Sequence, residues 1–132
     1  MALTENITTL HRNHQNRNIK QILGHLIDSA SNNHQRMVRL QYNKRLEFPD
    51  YTSANDRWIS IQDYTSENWC DMVQLWKFFN MHIAYVLRSA DPATTENIWT
   101  DEDGNEVTLK RMGETYIYHL DLHLNEIRNL AK

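Results

Sequence analysis

The segment YIYHLDLHLNEI, residues 116–127, sets His119 and His123 four residues apart in an apolar-rich run. At about 100° per residue, helical positions four apart lie about 40° apart on the helix surface. Their imidazoles then stand side by side, which lets two ring nitrogens share one cation. A usable site needs a third ligand from another helix, with positions left open for water or substrate as in catalytic zinc centres. His11, His14, His25, His34 and His82 remain, and spacing selects none of them. His25 falls off the centre of its own apolar stripe, on the side of Asp28 and Ser29. The alternative reading of the pair is two edge-of-core histidines that hydrogen-bond locally. Glu126, three residues beyond His123 on the same flank, is placed to orient an imidazole or act as a base, and Asp28 stands in the same relation to His25. For both carboxylates the alternative is a solvated helix face.

The elements that must position these residues follow from apolar periodicity. Leu3, Ile7 and Leu10 predict a short amphipathic helix. Ile19, Ile22, Leu23, Leu26, Ile27, Ala30, Met37 and Val38 predict a longer one reaching about Leu40. The stretch NKRLEFPDYTSANDR breaks the pattern into a loop, followed by a short helix carrying Trp58 and Ile61. A third stripe runs through Trp69, Met72, Val73, Trp76, Phe79, Ile83 and Leu87 and ends at the ADP of residues 90–92. NIWTDEDGNEVTL reads as a hairpin turning at Asp103-Gly104. Thr108 is a fitting N-cap for the last helix, with the stripe Leu109, Met112, Tyr116, Ile117, Leu120, Leu124, Ile127 and Ala131. Three long helices and a short one predict an all-α antiparallel bundle with one long connection.

The chain of 132 residues, with three Gly and two Pro, fits one domain of long uninterrupted elements. A net charge of −3 offers no basic stripe, which argues against a nucleic-acid partner. No apolar run approaches the length of a membrane span, and no signal-peptide core opens the sequence. A single cysteine, Cys70, makes no internal disulfide and fits a reducing compartment, so a cytoplasmic location is expected. Cys70 itself reads as a half-buried small residue rather than a nucleophile.

Three segments, IKQILGHLIDSASNNHQRMVRLQ (19–41), DRWISIQDY with LWKFFN between, and VTLKRMGETYIYHLDLHLNEI (107–127), resemble the DinB-like superfamily of four-helix bundle metalloproteins. The resemblance implies His25, from an HL-D segment, together with His119 and His123 as ligands to a divalent nickel, zinc or iron ion. It also implies a metal-dependent hydrolase or a transferase using a small thiol, with a non-catalytic binding or stress-associated protein as the alternative. The family carries a Trp eight residues before the first ligand, where this chain has Arg17. The 16 residues before Arg17 imply a DinB-like bundle with a shortened N-terminal helix.

DEDGNE (101–106) looks at first like a calcium loop, but Glu106 stands where Gly is needed and Met112 where the final Glu belongs, so that reading is rejected. His11 and His14 are expected to be exposed, and His34 and His82 to cap or pack. Phe78, Met81 and Tyr85 form a second apolar patch nearly opposite the main stripe of the third helix. A helix apolar on two faces packs on two sides, and a homodimer is the expected cover.

Overall fold

The computed structural model describes residues 3–132. Five helices, α1 (Glu5–Leu10), α2 (Ile19–Arg39), α3 (Asn55–Gln62), α4 (Trp69–Arg88) and α5 (Leu109–Leu130), carry most of the chain. The three long ones form the bundle, with α2 packed along both α4 and α5. The first helix has six residues, as short as the sequence implies.

Each long helix starts where its sequence provides a cap. Asn18 accepts from Gln21 N at 2.9 Å while the Gln21 side chain accepts from Asn18 N at 3.0 Å, a reciprocal capping box that starts α2. Asn68 caps α4 through Asp71 N at 3.1 Å, and Thr108 caps α5 through Arg111 N at 3.1 Å. The Thr108 expectation is met at the predicted residue.

The helix α2 is the central element, which explains why its periodicity is a poor guide. Every residue from Ile22 to Ala30 is buried, so its polar flank is covered as fully as its apolar stripe. Val38, assigned to that stripe, is exposed, as are Ile61 and Ile117. On α3 the side chain turned inward is Ile59. Cys70, on the first turn of α4, is exposed rather than half-buried.

The hairpin forms as expected. Strands β2 (Ile98–Thr100) and β3 (Glu106–Thr108) pair antiparallel, and Gly104 in the turn adopts φ +83°, a left-handed conformation that glycine takes without strain. The segment read as plain loop contributes a third strand, β1 (Arg45–Glu47), which pairs parallel with β2 and sets Leu46 opposite Trp99. The alternation of exposed Arg45, buried Leu46 and exposed Glu47 suits a one-sided edge strand. Trp99 donates from its indole to Phe48 O at 2.9 Å. The small sheet leads directly into α5 and closes one end of the groove between α2 and α5.

Two apolar clusters fill the bundle, one around Ile22, Leu26, Met72 and Ile127, the other around Met37, Leu40, Ile83 and Met112. Leu120, the residue after His119, packs against both. The histidine-bearing turn of α5 therefore lies where the two clusters meet.

Candidate metal centre

His25 of α2 meets His119 and His123 of α5, and one ring nitrogen from each lies within 4.8 Å of the other two. Nε2 of His119 stands 3.3 Å from Nε2 of His25 and 3.0 Å from Nε2 of His123. The rings meet edge-on, with interplanar angles of 71° to 80°. The four-residue spacing on α5 places its pair as the sequence predicts. His25 joins them because α2 is buried on every side from Ile22 to Ala30.

These residues fit a divalent cation. With Zn–N bonds of about 2.0–2.1 Å at tetrahedral angles, coordinated nitrogens sit roughly 3.4 Å apart. The two close nitrogen pairs, at 3.0 and 3.3 Å, match that separation. Without a cation, one Nε2 faces two others and a single ring proton can serve only one of those contacts. Burial, reinforced by the neighbouring imidazoles, lowers the pKa of His25 to about 3 and that of His119 to about 4. Burial also lowers His123, with Glu126 pulling the other way. All three rings are neutral at physiological pH, the protonation state that ligates a metal.

Glu126 lies at the back of the site. Its Oε1 is 3.3 Å from Nδ1 of His123, and its Oε2 accepts from Asn13 Nδ2 at 2.7 Å. Asn13 holds the segment between α1 and α2 in shape, because its Oδ1 accepts from Gln15 N at 2.9 Å and from Arg17 N at 3.0 Å. Asn16 completes this turn at φ 61°, in the left-handed region that Asn tolerates. Arg17, standing where the family carries Trp, is buried and pairs with Asp56 of α3 at 2.9 Å.

Asp28 departs from its expected placement beside His25. Its Oδ1 accepts from Gln62 Nε2 and from the Tyr64 hydroxyl, both at 2.7 Å. Nδ1 of His25, like Nδ1 of His123, meets no partner with hydrogen-bond geometry among the described residues. The Tyr64 ring lies directly over Gly24, so Asp28 secures the turn that covers α2 next to His25. The remaining histidines lie apart: His11 and His14 are exposed, and His34 packs on Phe79 and His82 with ring centroids 5.4 and 5.3 Å away.

A cleft of about 450 Å³ opens beside His25 and His119. From α2 it takes Ser29, Asn33 and Arg36, which follow His25 at steps of four, four and three residues and so share its helix face. Thr115 and Tyr116 of α5 face them, Trp99 lies at the sheet, and Tyr51 stands beside His25 with ring centroids 6.3 Å apart. Burial, reinforced by the charge of Asp28, pushes the Tyr51 phenol above its ordinary pKa, so it remains a neutral donor. Arg36, Tyr51, Trp99 and Asn13 are absent from the sequence-based site. The polar series Ser29, Asn33, Arg36 was readable once His25 had been placed on an inward face.

The family model of the DinB superfamily matches residues 2–127. Comparison with curated proteins finds no match. Among solved structures, YfiT from Bacillus subtilis, described as a probable metal-dependent hydrolase with an unusual four-helix bundle topology, superposes with a TM-score of 0.80 at 18% sequence identity, covering 98% of this chain and 73% of that one. That likeness establishes the four-helix bundle fold. With the family model spanning nearly the whole sequence, the chain belongs to the DinB superfamily.

Proposed function

We propose that the protein is a metal-dependent enzyme acting on a small molecule, with His25, His119 and His123 as the ligands of one divalent nickel, zinc or iron ion. The observation that carries this reading is the meeting of three neutral imidazoles, His25 and His123 buried and His119 half-buried, at one end of an open cleft lined by polar as well as apolar side chains. A site sealed by apolar side chains would instead have favoured the non-catalytic alternative. Bound there, the cation supplies Lewis acidity to water or to a thiol at its open positions.

The protein's own groups do the rest. Glu126 borders His123 on its Nδ1 side at 3.3 Å, close enough to act on the ring electrostatically, and Asn13 fixes Glu126. Asp28 acts indirectly, through Tyr64 and the turn over Gly24. The neutral Tyr51 hydroxyl donates to His25 O at 3.5 Å, tying the cleft wall to the turn that carries His25, and α2 and α5 exclude water from two sides of the cleft. A hydrolase working on bound water and a transferase working on a small thiol both fit this arrangement.

The test is cobalt substitution followed by titration with a small thiol such as 2-mercaptoethanol. A new charge-transfer band, absent from a His119→Ala variant, supports the thiol-dependent reaction. A cobalt spectrum unchanged at saturating thiol leaves the hydrolase. Failure to bind cobalt at all overturns the metal reading.

A homodimer is part of the same proposal. Phe78, Met81 and Tyr85, together with Leu75, line the outer face of α4 and are exposed in the single chain. Helix α1 leaves them uncovered because Glu5 ties it elsewhere, accepting from Trp69 N at 2.8 Å and pairing with Lys20 at 2.5 Å.

A further inference from the structure

At the sheet end of the cleft, Arg36 is 5% exposed, yet no carboxylate lies within ion-pairing distance of it among the described residues. Its Nε and Nη1 are buried and have no hydrogen-bond partner. Removing a guanidinium from water is costly unless an anion or hydrogen-bond acceptors replace the solvent. Trp99 compensates only in part, with Cζ of Arg36 over its ring at 4.2 Å from the centroid. Stacking engages the face of the guanidinium and fixes its plane, while the N–H groups radiate within that plane and are left unmatched. The nearby Asp50, also on the cleft, supports the guanidinium by its charge but lies beyond ion-pairing distance, and its Oδ1 accepts from Thr52 N at 3.1 Å and from Thr52 Oγ1 at 2.7 Å.

We propose that Arg36 is an anion anchor in this cleft, binding the carboxylate of a small substrate whose other end lies at the three histidines. This deepens the functional reading above and rests on the cleft being the substrate site. Arg36 lies eleven helical steps beyond His25, about 16 Å between their Cα atoms. The arginine side chain leans back toward the N-terminal end of α2 and shortens that span. The stretch between is bordered by Met112 and Val107 as well as Ser29 and Asn33, which suits a short carbon chain carrying few polar groups. A monoanionic carboxylate fits better than a phosphate. The anchor supplies one buried cation, Asp50 repels a second negative charge, and the other arginine on the cleft, Arg111, is exposed and paired with Glu114 at 3.4 Å.

The test is a titration of the 15N-labelled protein with hexanoate and, separately, with the neutral hexanamide, following the Arg36 Nε–H and Trp99 indole N–H resonances. Hexanoate should shift both saturably, and hexanamide should bind at least tenfold more weakly. This comparison requires no mutant. Arg36→Gln should then abolish the preference, and Arg36→Lys should retain part of it. Arg111→Gln should leave it intact. Equal binding of the two probes, absence of saturation with hexanoate, or an unchanged preference in a folded Arg36→Gln variant overturns the proposal. A His25→Ala variant separates this claim from the metal reading. Carboxylate preference surviving there, with metal binding lost, shows that the anchor acts on its own. Metal binding by the parent protein without any carboxylate preference sinks the anchor alone.

Discussion

Asn13 donates to Glu126 at 2.7 Å, joining the segment ahead of α2 to the last helix across 113 positions of sequence. The other oxygen of Glu126 lies 3.3 Å from Nδ1 of His123, so a short N-terminal segment holds a residue that contacts a candidate ligand. Partners of this kind typically contribute 10–100-fold to metal affinity. Glu126→Gln should therefore weaken metal binding by about 10-fold or more, read by competition against a chromophoric chelator. Asn13→Ala should weaken it less, with little change in the urea midpoint of either metal-free variant. Unchanged affinity in Glu126→Gln would remove Glu126 from the site.

Two glycines on long helices should respond in opposite directions to alanine. At Gly24 an added Cβ would collide with the Tyr64 ring, which Asp28 and the surrounding turn hold in place. Gly24→Ala should cost about 1–3 kcal/mol, the usual range for overpacking. At Gly113 the nearest atoms, on Leu87, are 3.7 and 3.9 Å away, ordinary contact distances. Gly113→Ala should be neutral or stabilise by up to about 1 kcal/mol, because alanine loses less backbone entropy in a helix. Urea unfolding of the two variants checks both signs.

Much of this arrangement was legible in the sequence. The HxxxH spacing placed His119 and His123 on one face, and the Thr108 cap and the Gly104 turn fell where their chemistry requires. Periodicity missed His25 because it measures only the apolar stripe, whereas α2 is covered on its polar side by α3, α5 and the turn at Tyr64. Strand β1 was invisible because its partner β2 lies some fifty residues away and three residues carry little pattern. The orientation of Asp28 was equally hidden, since a three-residue spacing cannot reveal a competing tyrosine contributed by another element.

The buried phenols make stability sensitive to alkali. Burial raises Tyr64 and Tyr116 above the usual phenol range, with Tyr64 raised further by its hydrogen bond to Asp28. An unfolded tyrosine ionises near pH 10, so above about that pH the folded chain holds more protons than the unfolded one. Stability should be flat with respect to these groups below about pH 10 and fall as pH rises beyond it, by up to about 1.4 kcal/mol per unit for each phenol. Urea midpoints from pH 8 to 11 test this. Tyr64→Phe should flatten the slope, and an identical slope in that variant would contradict the assignment.

The outer face of α4 predicts a dimer. Light scattering at micromolar concentration should give twice the 15.8 kDa chain mass, and Phe78→Glu should return the single mass without changing metal content. A monomeric parent protein would show that this apolar face is tolerated uncovered.

The most direct measurement is metal stoichiometry, by elemental analysis of untagged protein and by calorimetric titration of the metal-free form, compared with His25→Ala, His119→Ala and His123→Ala. If the three imidazoles form one site, the parent protein binds one divalent ion per chain and each substitution weakens binding by well over 10-fold, since two imidazoles hold a cation poorly. A parent protein that takes up no stoichiometric ion, or variants that bind as tightly as the parent, would contradict the three-histidine site.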